Sequence, residues 1–151
     1  MPDAVRTIGA SAFKGCASLQ KMTLGVALQI LTPSMFENCC GITEVIVRST
    51  ILQASGSDAL IPLCANVTDL SVDETGLTNM HILGDGCTHL ETLSLRSKEA
   101  SEQAWAGSAN LLIIYASDNL KVIGDDAFHG VAWSTMLDLP AVTSIGERAF
   151  E

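Results

Sequence analysis

The sequence predicts an α/β repeat solenoid: one short parallel strand per turn, joined by return arms of short helices or 3₁₀ turns, with residues 1–151 forming a single domain. Three observations lead there. The chain opens on "VRTIGASAF" (5–13) and closes on "VTSIGERAF" (142–150), so one phrase stands at both ends. Between them a frame of apolar positions recurs every 21 to 25 residues. Each recurrence ends in period-two alternation, the pattern of a strand with one buried face.

The first two units define the frame. Placing residues 5–24 over 28–47 matches Val5 with Leu28, Ile8 with Leu31, Phe13 with Phe36, Cys16 with Cys39, Leu19 with Ile42, Met22 with Val45 and Leu24 with Val47. The spacing Cys-x-x-apolar-x-x-apolar-x-apolar returns as Cys64, Val67, Leu70, Val72 and as Cys87, Leu90, Leu93, Leu95. It then degrades to Ser108, Leu111, Ile114, Ala116 and to Val131, Ser134, Leu137, Leu139. The last apolar positions fall at 24, 47, 72, 95, 116 and 139, in steps of 23, 25, 23, 21 and 23. Such steps lie in the band of about 20–29 residues per turn found in leucine-rich repeats. The expectation is about six turns and a partial seventh.

The alternation and the stacking of the turns have one physical cause. In "LETLSL" (90–95), Leu93 and Leu95 point one way and Thr92, Ser94 and Arg96 the other. A lone strand can neither pair its backbone nor cover its apolar face, so successive turns must stack in parallel at about 4.7–4.9 Å. For the return arms, Thr32 can cap and Pro33 start a short helix in "TPSMF", and "SKEASEQAWAG" (97–107) is rich in helix formers before Gly107. Phe13, Phe36, Trp105, Phe128 and Phe150 recur at one place on that arm and should fill the outer half of the core. The arm "RSTILQASGSDALIP" (48–62), with its extra residues and Gly-Ser cluster, reads as a looser, exposed loop.

Composition narrows function by exclusion. With 48% hydrophobic and 17% charged residues, the chain is built to bury a core. Eight Lys and Arg against seventeen Asp and Glu give a net charge of −9, which repels nucleic acid and anionic membrane surfaces. The longest clean apolar run, "LLIIYA" (111–116), falls far short of the roughly 20 residues that span a bilayer. No catalytic constellation is present: His81, His89 and His129 are scattered singly, and no phosphate loop or nucleophile elbow occurs. Asp125 and Asp126 read as ordinary acids at a first helical turn, and "NVT" (66–68) as a short match to a glycosylation acceptor. Cys16, Cys39, Cys64 and Cys87 share one repeat position and should form an inward thiol row, leaving Cys40 the most reachable. Rungs at strand spacing fit a relaxed disulfide poorly, and no paired metal ligands occur, so no disulfide, metal or cofactor is expected.

What remains is the outward strand face, where a solenoid presents its binding surface. Turn by turn it carries Lys21 and Thr23; Glu44, Ile46 and Arg48; Asp69, Ser71 and Asp73; Thr92, Ser94 and Arg96; Ile113, Tyr115 and Ser117; Met136 and Asp138. Its four acids and three bases nearly cancel, so most of the net charge lies elsewhere. Ile113, Tyr115 and Met136 cluster toward one end, a composition that favours a protein or peptide ligand over sugar or phosphate.

The stretches "IGASAFKGCASLQKMTL", "VIGDDAFHG" and "VTSIGERAFE" resemble the BspA-like leucine-rich repeats, whose unit reads approximately I-G-x-x-A-F-x-G-C-x-x-L-x-x-V-x-L-P. Residues 48–63 and 73–86 keep the strand half of that unit and lose I-G-x-x-A-F. The resemblance implies a right-handed leucine-rich-repeat superhelix without catalysis, used as a surface adhesin or an intracellular binding scaffold in bacteria or unicellular eukaryotes. Two functions follow: a protein-interaction module binding on the concave strand face, or an architectural spacer with no ligand of its own. Neither end carries an atypical polar capping unit, so the chain reads as a slice of a longer array, meeting neighbouring repeats or self-associating through uncapped ends.

Overall fold

A computed structural model of the chain describes residues 1–31, 33–49, 53–54, 66–73, 88–100, 102–132 and 137–151. Among these residues the strands are β1 Lys21–Leu24, β2 Ile30–Leu31, β3 Glu44–Val47, β4 Gln53–Ala54, β5 Asp69–Val72, β6 Thr92–Leu95, β7 Glu99–Ala100, β8 Ile113–Ala116, β9 Val122–Ile123 and β10 Ser144–Ile145.

The alternating segments build one sheet. β1, β3, β5, β6 and β8 lie side by side in that order, every pairing parallel. The register is the one the repeat frame demands: Leu24, Val47, Val72, Leu95 and Ala116 share one row, and Met22, Val45, Leu70, Leu93 and Ile114 another. Both rows face inward. Leu24, Val47, Val72, Leu93 and Leu95 are wholly buried, and Ile114 and Ala116 are partly so. A one-residue slip would turn both rows to water, so burial fixes the register at every step.

The return arms differ from the expectation. Among the described residues the only helical element is the 3₁₀ helix Pro33–Phe36, which starts at the proline as foreseen; Thr32 lies outside the described residues. Within "SKEASEQAWAG" Glu99–Ala100 form β7 and residues 102–107 a run of turns rather than a helix. β7, β9 and β10 make a second, parallel three-stranded sheet with β9 in the middle, and β2 pairs with β4 in parallel. Among the described residues the architecture is therefore a parallel-strand β-solenoid of about four turns rather than an α/β one. Spacing explains the difference: each turn advances by one strand separation of under 5 Å, whereas a helix is 10–12 Å across, so extended arms stack in step and helical arms splay.

A second cause is local. The residue two before the arm aromatic has left-handed backbone at four of the five, Ser11, Gln103, Asp126 and Arg148, with φ of 51–60°. The residue two after does the same at Gly15, Asn38, Gly107 and Gly130, with φ of 62–76°. Bracketed in this way on both sides, Phe13, Trp105 and Phe128 sit in tight corners through which no α-helix can run. Glycine at three of the four later positions supplies this conformation at no steric cost.

These corners stack the rings. Phe13 lies over Phe36 with centroids 5.6 Å apart, Trp105 over Phe128 at 5.4 Å and Phe128 over Phe150 at 5.6 Å, all near parallel. The backbone locks them: the N–H groups of Phe13, Trp105 and Phe128 donate to the carbonyls of Met35, Ala127 and Ala149 in the next turn, at 2.8–3.0 Å. Cys39 is buried, Cys16 partly buried and Cys40 exposed, all as free thiols; Cys64 and Cys87 lie outside the described residues. Most of "RSTILQASGSDALIP" also lies outside them.

Candidate functional site

The outward side chains of the five-stranded sheet stand in rows because its strands are in register. Lys21, Glu44, Asp69, Thr92 and Ile113 make the first row, and Thr23, Ile46, Ser71, Ser94 and Tyr115 the second. Arg48, Asp73, Arg96 and Ser117 follow directly after their strands and form a third line. Within a row neighbours are one strand spacing apart, about 4.7–4.9 Å, so each interacts mainly with the residue on the next turn.

The first row is electrostatically uneven. Lys21 Nζ meets Glu44 Oε1 at 2.5 Å, and on the other side of Glu44 stands Asp69, directly in register. Asp69 Oδ2 accepts a hydrogen bond from the Thr68 hydroxyl at 2.8 Å. Glu44, Asp69, Leu70, Ser71, Thr92 and Ser94 line a shallow cavity of about 350 Å³. Toward the strand ends, the Ser71 hydroxyl donates to Asp73 Oδ1 at 2.9 Å, and the same oxygen lies 3.7 Å from Arg96 Nε. Arg48 Nη1 pairs with Asp3 Oδ1 at 2.9 Å. Val26, Arg48, Asp73 and Arg96 line a second cavity of about 240 Å³. On β8 Ile113 and Tyr115 are 39% and 60% exposed, with Leu112 just before the strand at 46%.

The sheet thus brings together Glu44, Ile46, Arg48, Asp69, Ser71, Thr92, Ser94, Arg96, Ile113 and Tyr115. Met136 lies outside the described residues, and Asp138 is exposed but belongs to none of the assigned strands. Val26, Leu112 and Asp3 were not foreseen. Val26 follows β1 at the place Ser49 takes after β3, so the repeat frame could have flagged it. Asp3 reaches Arg48 across 45 residues of sequence, and no local signal announces that.

Asp125 and Asp126 do not cap a helix; they tie one turn to the next. Asp125 Oδ1 accepts the Glu147 N–H at 2.8 Å, and Asp126 receives both Arg148 Nε and Nη2 at 2.9 Å. The Arg148 hydrogen bonds hold the Asp126 carboxyl below its ordinary range. Asn66 Nδ2 donates to the Cys40 carbonyl, as Asn110 Nδ2 does to that of Thr88, so the asparagine of "NVT" also links turns. His89 and His129 are exposed, and His81 lies outside the described residues. Among the described residues no group of three His, Cys, Asp or Glu side chains could hold a metal ion, and no helix is long and apolar enough to cross a membrane.

A stack of parallel strands advancing by 21–25 residues, with inner apolar ladders and an outer polar face, defines a leucine-rich-repeat solenoid. The chain belongs to the BspA type leucine rich repeat family, whose model matches residues 1–82 and 64–151 in six copies. Its structure is similar to that of a leucine rich cell surface protein from Faecalibacterium prausnitzii, with a TM-score of 0.51 and 18% identity over 97% of this chain and 40% of that one. It is also similar to a leucine-rich repeat protein from Bacteroides ovatus, with a TM-score of 0.53 and 16% identity over 100% of this chain and 51% of that one. These likenesses bear on the fold, and the chain spans about half or less of either structure's length. No curated protein sequence matches it.

Proposed function

We propose that the chain is a non-catalytic protein-interaction module that binds a protein or peptide on the outward face of its five-stranded sheet, the concave face of the sequence reading. The observation that carries this is β8, the last of the described strands of the sheet, where Tyr115 is 60% exposed beside Ile113 and Leu112 and continues the Ser71–Ser94 row. A large aromatic side chain standing in water costs solubility, and grouped with aliphatic neighbours beside polar rows it has the make-up of a binding anchor with a polar rim. Two further features support the reading: the family to which the chain belongs, and the surface location stated for the F. prausnitzii protein. On that basis the module is displayed at the cell surface.

The test is a pull-down from source-cell or host-cell extract with the native chain, Tyr115→Ala and Ser94→Arg. A partner held by the native chain and lost by both variants supports the reading. Equal recovery by all three, or no specific partner, favours an architectural spacer.

A further inference from the structure

We propose that the cavity beside Asp69 takes a Lys or Arg side chain of the bound segment, and that an acidic residue four positions away on an extended segment meets Arg96. This rests on the preceding reading of the sheet face as the binding surface. Glu44 and Asp69 are directly in register on neighbouring strands, where like charges destabilise a sheet. Lys21 pairs with Glu44 from the far side, and among the described residues no cation pairs with Asp69. At a solvent-facing strand position a hydroxyl residue avoids this repulsion, as Thr92 does in the same row. A cation placed between the two carboxylates removes it, so the pair is better matched to a bound state than to the free protein.

The cavity fits such a cation. Its lining offers the Glu44 and Asp69 carboxylates and the hydroxyls of Ser71, Thr92 and Ser94. All of these accept hydrogen bonds, which an ammonium with three donors or a guanidinium with five requires. The charge then reverses along the strands. Arg48 and Arg96 line the second cavity, and Arg48 is already paired with Asp3. Arg96 is only loosely engaged, 3.7 Å from Asp73, with a side chain 65% exposed. Position 73 lies four residues after position 69, about 13 Å along a strand. In an extended partner, residues i and i+4 lie on one face with that same separation. An extended segment lying along the strands, in either direction, therefore sets its cation over Asp69 and its acid over Arg96 when the two stand four positions apart. The net charge of −9 steers a basic segment toward the molecule.

A phage-displayed library of random linear peptides, selected on the 151-residue chain, tests this. Enriched peptides should share a Lys or Arg, bind more weakly as salt rises, and lose about tenfold or more in affinity against Asp69→Asn. The same substitution should leave the unfolding midpoint unchanged or raised, which separates lost binding from lost folding. Enriched peptides without a basic residue, or basic peptides indifferent to Asp69→Asn, overturn the assignment. If such peptides are still lost on Ser94→Arg, the face binds and only the proposed chemistry fails. If no peptide is enriched, or binding ignores Ser94→Arg, the binding face itself is wrong and the inference falls with it.

Discussion

The thiol of Cys39 donates to the main-chain carbonyl of Phe13, 2.7 Å away and one turn earlier. The cysteine of the repeat is thus a link between turns as well as core filling. The same carbonyl also accepts the Cys16 N–H at 3.1 Å, so removing the thiol leaves it partly satisfied. Cys39→Ala should cost about 1–2 kcal/mol, from one lost hydrogen bond and a small void. Cys39→Ser should cost less, since Ser108 occupies the equivalent position and is buried. Urea unfolding of the two variants checks the order. A thiol reagent applied to the native chain should reach exposed Cys40 before buried Cys39.

The two sides of one strand give a second contrast. Leu93 is wholly buried in the ladder between Leu70 and Ile114, whereas Ser94 faces outward between Ser71 and Tyr115. Leu93→Ala should cost about 2–5 kcal/mol and Ser94→Ala under about 0.5 kcal/mol. Equal losses in denaturant unfolding would reverse the inner and outer faces.

The inner frame was legible because burial imposes it identically on every turn: Leu24, Val47, Val72 and Leu95 can be aligned by eye and stand in one row. The aromatic positions were legible for the same reason. The arms were not. "SKEASEQAWAG" has helical propensity, yet stacking at strand spacing overrides it and places Glu99–Ala100 in a strand. The left-handed corners carry Ser, Asn, Gln, Asp and Arg as well as Gly, so composition alone conceals them. On the outward face alternation gave the rows, but which charges meet depends on register and on long-range partners such as Asp3 with Arg48.

The corner after each aromatic makes a third prediction. Gly107 has φ of 75°, and its N–H donates to the His129 carbonyl at 2.7 Å, so the bond depends on that backbone angle. Nothing lies near the place a Cβ would take, so the penalty of a side chain is conformational rather than steric crowding. Gly107→Val should cost more than about 1 kcal/mol, because a β-branched residue resists the left-handed region. Gly107→Asn should be milder, as Asn38 holds the same position with φ of 62°. Thermal unfolding midpoints in the order native, Asn, Val check this, and a Val variant as stable as the native chain would contradict it.

The Asp126–Arg148 pair makes the last prediction, in pH. Both guanidinium donors lie 2.9 Å from the Asp126 carboxylate, whose side chain is 12% exposed. Hydrogen bonding from Arg148 comes first in holding this carboxyl below its ordinary range, and the Arg148 charge adds to it. The reciprocal bond raises the Arg148 guanidinium further above neutrality, so the arginine stays charged throughout. A carboxyl with a depressed folded-state pKa binds its proton more readily when unfolded. Its stabilisation is therefore fully present above the unfolded value, about 3.9, and is lost as pH falls through the folded one. Asp126→Asn should accordingly be less stable than the native chain at pH 7, with the gap closing as the solution is taken below about pH 4. Chemical unfolding of both proteins across that range measures the gap. A difference that stayed constant to the lowest pH would mean that the lost group acts through packing or backbone geometry at φ 53° rather than through its charge.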